Sequence, residues 1–156
     1  MKKKQKKYKP ASNTITKKEL KTSSQNPQKN NVTIFILLAI TFIAYIPVLN
    51  AGFVNWDDPD YVTNNRMIKN IYDLENIFTR PIQGKYHPLT ILSLALNYFI
   101  SGLQPWSYHL LNLILHLFNC FLVFRLTMNL SRNNSIIAFT TSLLFGIHPM
   151  HVESVA

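Results

Sequence analysis

Acidic and imidazole side chains gather at three places in this chain of 156 residues. Trp56 is followed by Asp57 and Asp58, with Asp60 close behind. A carboxylate beside an apolar surface has a raised pKa, and two adjacent carboxylates raise one another. Either effect suits an Asp to act as a general base. The same string, Asn-Trp-Asp-Asp-Pro-Asp, is rich in turn formers, so a plain turn is the competing reading. Further on, His109, Asn112, His116 and Asn119 are spaced by three, four and three, which places all four on one helical face. Polar groups in hydrocarbon are costly, so that face must meet protein or a water-filled cavity. Interhelical hydrogen bonding is the simpler reading for Asn112, His116 and Asn119. His109, nearest one end, has an equal claim to face a site. Finally, His148 and His151 are three apart and Glu153 follows two later. Such a set could hold a divalent metal, although a fourth ligand is missing; capping and interfacial hydrogen bonding is the competing reading.

Positioning these groups requires elements, and the composition says which kind. Charged residues make up 15% of the chain and hydrophobic residues 47%, against about 25% charged in an ordinary soluble domain. The net charge of +9 lies in residues 1–30, which hold ten Lys and one Glu; residues 31–156 hold six basic and six acidic side chains. A neutral apolar body with a basic arm excludes a basic nucleic-acid-binding fold. One cysteine, Cys120, excludes a disulfide scaffold and a Cys-based zinc site. Residues 1–30 show no helical or strand period and are expected to form a disordered cytoplasmic tail.

Residues 32–49 run without a charge for about 27 Å of helix, close to the hydrocarbon thickness. The long basic stretch before them, their length and a poor small-x-small site favour an uncleaved anchor over a signal peptide. Residues 105–125 form a second expected span, with Trp106 and Tyr108 at one end and Arg125 at the other. Residues 136–150 form a third, shorter one ending in His148-Pro149. The external loop 50–104 carries local helix around Ile71–Phe78 and a 15-residue apolar stretch, 89–103. In that stretch Thr90, Ser93, Asn97 and Ser101 fall on one stripe, which reads as an amphipathic helix at the interface. Charge tests this topology. With 89–103 interfacial, the lysine tail and the connector bearing Arg125 and Arg132 share the cytoplasmic side. Asp57, Asp58, His87, His109, His148, His151 and Glu153 then lie on or near the opposite side. The sequons at Asn31, Asn129 and Asn133 fall on the cytoplasmic side and are expected to stay unmodified.

Several strings together fit one pattern: Phe53-Val-Asn-Trp-Asp-Asp58, Tyr86-His-Pro-Leu-Thr90, Leu96-Asn97-Tyr98, Gly102, Pro105, Tyr108-His109-x-x-Asn112-x-x-x-His116 and His148-Pro-Met-His-Val-Glu-Ser-Val-Ala156. Over roughly residues 35–156 the chain resembles the amino-terminal membrane region of transmembrane and tetratricopeptide-repeat proteins. These are protein O-mannosyltransferase-like members of the GT-C glycosyltransferase superfamily. The resemblance implies an all-α, polytopic membrane protein with about three transmembrane helices plus an interfacial helix, residues 31–156 being the N-terminal part of a GT-C-like domain. It implies a polyprenyl-phosphate sugar donor and transfer to Ser or Thr of an acceptor protein at the extracytoplasmic face. Asp57 and Asp58 map onto the superfamily's acidic pair, one of them the base. His87, His109 and Arg66 are the candidates for the donor phosphate or substrate; eukaryotic relatives tend to carry Arg where this chain has His87. A divalent metal at His148, His151 and Glu153 is a further expectation. Because the pattern would continue past Ala156, the chain is expected to be a truncated product or fragment, inactive alone. The alternative is a non-catalytic membrane anchor for a tetratricopeptide-repeat scaffold. The Lys- and Asn-rich composition points to a bacterial cytoplasmic membrane; a eukaryotic source would mean the endoplasmic reticulum.

Overall fold

A computed structural model describes residues 27–155, and these are helical with short irregular links. The lysine-rich segment before Pro27, with its expected disorder and cytoplasmic placement, lies outside the described residues. Helix α1 covers Pro27–Tyr45, so the last residues of segment 1–30 are helical rather than tail. Pro47 has no N–H to offer the carbonyl of Ile43. There the chain tightens into a 3-10 turn, Ile46–Asn50. Together they make an apolar run, Asn30–Asn50, long enough to cross a membrane.

The segment after it forms a cap. A short π-type turn, Pro59–Thr63, and a 3-10 turn, Met67–Lys69, lead to α2, Leu74–Thr79. That helix starts later than the expected Ile71 because Asn70 holds the chain back. Its side-chain oxygen accepts from the Tyr72 N–H at 3.2 Å and its carbonyl from the Asp73 N–H at 3.1 Å. A tight hairpin follows at Ile82 and Lys85, with Gln83 and Gly84 both at positive φ, as a type I′ turn requires. Helix α3, Pro88–Ser101, opens on Pro88 and closes at Gly102, whose φ is 63°. At about 21 Å it is too short to span. Val62, Ile68, Ile77, Ile91, Ala95 and Tyr108 close the core of this cap. The polar stripe of α3 is turned partly inward: Asn97 is buried, and Ser101 Oγ lies 2.6 Å from Ser107 Oγ of the next helix.

Helix α4, Pro105–Leu130, is the longest element at about 39 Å. It runs past Arg125, which therefore sits within the helix and not at its end. Arg132 and Asn133 turn the chain at positive φ. Asn134 then caps α5, Ser135–Gly146, accepting from the N–H groups of Ile136 and Ile137. Helix α5 is shorter than the expected span 136–150. The chain breaks at His148-Pro149, passes through a 3-10 turn, Pro149–His151, and resumes as α6, Val152–Val155; the segment Pro149–Val155 lies at 51° to α5. The described residues thus hold two unbroken candidate spans and one broken one.

Helices α1, α4 and α5 pack in layers. Leu37, Phe124, Met128 and Ala138 form the lowest; Thr41, Cys120 and Gly146 meet in the middle; Tyr45, Leu113 and Val155 form the upper. Leu113, His116, Cys120, Phe124 and Met128 make the buried stripe of α4 at steps of three and four. The outer surface is the reverse of a soluble protein's: Phe35, Ile43, Phe118, Leu126, Ile136 and Leu144 are all exposed. Such a surface suits lipid, and with two unbroken helices long and apolar enough to cross a membrane the chain is an integral membrane protein.

Candidate functional site

Asp57 and Asp58 lie on the turn that follows the first span. Asp58 Oδ2 accepts from the Val54 N–H at 2.7 Å, which fixes that carboxylate to its own loop. Asp57 uses its backbone carbonyl, which accepts from the N–H groups of Asp60 and Tyr61. Its carboxylate is exposed and makes no hydrogen bond among the described residues. One acid is therefore committed to the turn, and the other leaves its carboxylate free among the described residues.

The cap brings a second expected residue to this place. Gln83 of the hairpin donates from Nε2 to Asp60 Oδ2. The His87 ring, just after the hairpin, stands 6.4 Å from the Tyr61 ring, centroid to centroid. The type I′ turn thus brings His87 alongside Tyr61, which follows the acidic turn. Arg66 is exposed at the start of the 3-10 turn Met67–Lys69 and is not drawn to this group. His109 is 3% exposed on α4, and neither ring nitrogen has a partner. It is a buried ring with both nitrogens left to find a partner.

The imidazoles of the third motif go elsewhere. His151 packs 5.4 Å from His116, 4.5 Å from Phe145 and 6.1 Å from His148, measured between ring centroids. Glu153 is exposed and apart. Among the described residues no three His, Cys, Asp or Glu side chains converge on a point that could hold a metal ion. Of the set His148, His151 and Glu153, only the two rings come near one another, on either side of the break at Pro149.

What residue patterns did not reveal is a polar cleft beside this break. His116 Nε2 donates to the Gly146 carbonyl at 2.9 Å, a seam bond between α4 and α5. Next to it Asn112, His116, Asn119, Phe145, His151 and Ser154, with Leu115 and Val155, line a cleft of about 230 Å³. The three-four-three spacing on α4 carried the signal, but only the bend at His148-Pro149 opens space in front of it.

Comparison with known proteins places this arrangement. No family model matches the chain, and no solved structure does. Protein O-mannosyl-transferase Tmtc1 of Drosophila melanogaster is 35% identical over 130 residues, 76% of this chain and 15% of the relative. Protein O-mannosyl-transferase TMTC3 of Homo sapiens is 33% identical over 133 residues, 78% of this chain and 14% of the relative. Protein O-mannosyl-transferase Tmtc3 of Drosophila melanogaster is 29% identical over 167 residues, 88% and 18% respectively. The chain therefore spans less than a fifth of the length of the curated relatives it matches.

Proposed function

The chain is a homologue of the protein O-mannosyl-transferases, and from that premise we propose that it supplies the acid-bearing part of a membrane glycosyltransferase. The reaction moves a sugar, mannose by homology, from a polyprenyl-phosphate donor to a protein Ser or Thr hydroxyl at the extracytoplasmic face. Asp57 is the base. Its carboxylate takes the hydroxyl proton as the oxygen bonds to the anomeric carbon. The bond from that carbon to the donor phosphate breaks, and polyprenyl phosphate leaves. Positive charge spreads over the sugar ring in the transition state, as in glycoside hydrolysis. The developing phosphate charge needs donors; His87, beside the acidic turn, is the nearest candidate, and residues outside this chain complete the set. Arg66 and His109 contribute only if further segments reach them.

The observation that carries this reading is the free Asp57 carboxylate next to the bonded Asp58, in a chain whose relatives are mannosyl-transferases. General-base catalysis contributes about 10²–10⁴-fold. Asp57→Asn, made in the protein in its own membrane, is expected to lower mannose transfer to Ser/Thr acceptor peptides by that factor at an unchanged membrane level. Unchanged transfer would refute the reading and favour a non-catalytic anchor.

A further inference from the structure

Two carboxamides on α4 are left over when the bundle closes. His116 turns inward and bonds the Gly146 carbonyl of α5 at 2.9 Å. Asn119 is exposed and Asn112 half-buried, and among the described residues neither side chain makes a hydrogen bond. Asn119 lies about 21 Å along the helix from Pro105 and about 17 Å from Leu130, close to the middle of the candidate span. An unpaired carboxamide at that depth is costly, because hydrocarbon supplies neither a donor nor an acceptor.

The two asparagines stand seven apart, and the pattern continues. Asn112, Leu115, Asn119, Leu122, Leu126 and Asn129 follow steps of three and four over about 26 Å, with Leu115, Leu122 and Leu126 all exposed. This line runs along the side of α4 away from its buried stripe. It has the spacing of the a/d seam of a left-handed helix pair, in which a single Asn at an a position specifies register and the number of strands. Helices in membranes cross at the same shallow angle.

Hydrogen-bond complementarity, which in lipid takes the role that charge takes in water, selects the occupant. A carboxamide both donates and accepts, so two that face one another satisfy each other. Two copies of this chain in one membrane run parallel through α4, which sets Asn119 against Asn119 and each Leu against its counterpart. The other described spans offer no match at that depth. Between Val32 and Tyr45, α1 carries no carboxamide and turns Phe35, Ile36, Ile40, Phe42 and Ile43 outward. Helix α5 turns Thr140 and Thr141 outward, but Thr140 already donates to the Ile136 carbonyl at 2.8 Å. Thr141 lies about 9 Å beyond the turn at residues 131–134, against about 17 Å for Asn119. We infer that a second copy of this chain covers the α4 seam, giving a parallel dimer in which the two Asn119 carboxamides pair. The inference needs neither Asp57 nor any transfer step, and its test reads association alone.

The test is cysteine cross-linking of the whole chain in membranes, on a Cys120→Ala background with copper phenanthroline as oxidant. Leu115→Cys, Leu122→Cys and Leu126→Cys are expected to give a disulfide-linked species of twice the chain mass. Ile114→Cys and Phe121→Cys, about a third of a turn away on the same helix, are expected to stay monomeric. Equal cross-linking at all five positions would mean random collision, and no product of doubled mass would mean no second copy on the seam; either result overturns the inference. Asn119→Leu replaces an exposed, unbonded side chain and leaves the packed face of α4 intact, which circular dichroism checks. It should weaken the dimer by roughly 3- to 20-fold, the range of interhelical hydrogen bonds in membranes. Energy transfer between labelled chains, followed as lipid is added, reads that change. Asn119→Gln keeps the carboxamide and should retain most of the affinity. Unchanged association of Asn119→Leu would remove the carboxamide pair and overturn the inference.

Discussion

The two acids after Trp56 differ by one hydrogen bond, and that difference divides their labour. Asp58 holds the Val54 N–H at 2.7 Å, so its side chain stabilises the loop that presents its neighbour. A single exposed bond of this kind contributes about 1 kcal/mol, and losing it should speed local opening about fivefold. Asp58→Ala should therefore raise the hydrogen-exchange rate of the Val54 amide by about that factor. Asp58→Asn, whose side-chain carbonyl can still accept, should leave it near the native rate. If the two variants exchange alike, Asp58 has no positioning role. The sequence showed that the dipeptide was both acidic and turn-forming, but not which residue did which, because that depends on how the chain leaves the first span. For the imidazoles spacing alone did not say what each ring faces. Of His148, His151 and Glu153 the two rings stand 6.1 Å apart, and among the described residues no three His, Cys, Asp or Glu side chains converge on a metal position. The His109 ring is enclosed with both nitrogens unpartnered.

Among the elements, the helices were legible wherever apolar runs were long. The first two candidate spans appear where apolar stretches predict them; the first matches to within two residues, and the second runs five residues past Arg125, whose long side chain can carry its charge away from the helix. The third was harder to read, because a break at Pro149 turns one expected helix into two short ones. Its packing turns on Gly146. A Cβ placed there would lie 2.6 Å from Thr41 Oγ1 and 3.2 Å from Cys120 Sγ, both in the tight layer between α1, α4 and α5. These two side chains fill the space a Cβ would need, so the position takes only hydrogen, in keeping with the small residues at helix crossings in membranes. Gly146→Ala should destabilise the bundle by about 1–3 kcal/mol, read as a lower unfolding midpoint in mild detergent. Thr41→Ala removes the atom that clashes, so the double variant should recover part of that loss. A purely additive pair would place the cost elsewhere than at this contact.

At the scale of the whole molecule, the chemistry depends on which compartment receives the acidic turn. Helix α3 is too short to span, so a single crossing, α4, separates the cap from the turn at residues 131–134. That turn carries Arg132 and follows the helix bearing Arg125, while the cap carries five acidic and four basic side chains. The function proposed above puts the cap outside and therefore, across α4, the turn at residues 131–134 in the cytoplasm. Ser131→Cys should resist a membrane-impermeant maleimide in intact cells, and Val54→Cys should react. Cys120 is buried and its replacement by Ala gives a clean background. The loop cysteine reports on the acidic turn directly, since Val54 is the residue whose N–H Asp58 holds. Labelling of Ser131→Cys from outside would mean that α3 crosses after all. The acid pair and the start of α4 would then lie on opposite faces, and His87 could not share a pocket with groups on α4.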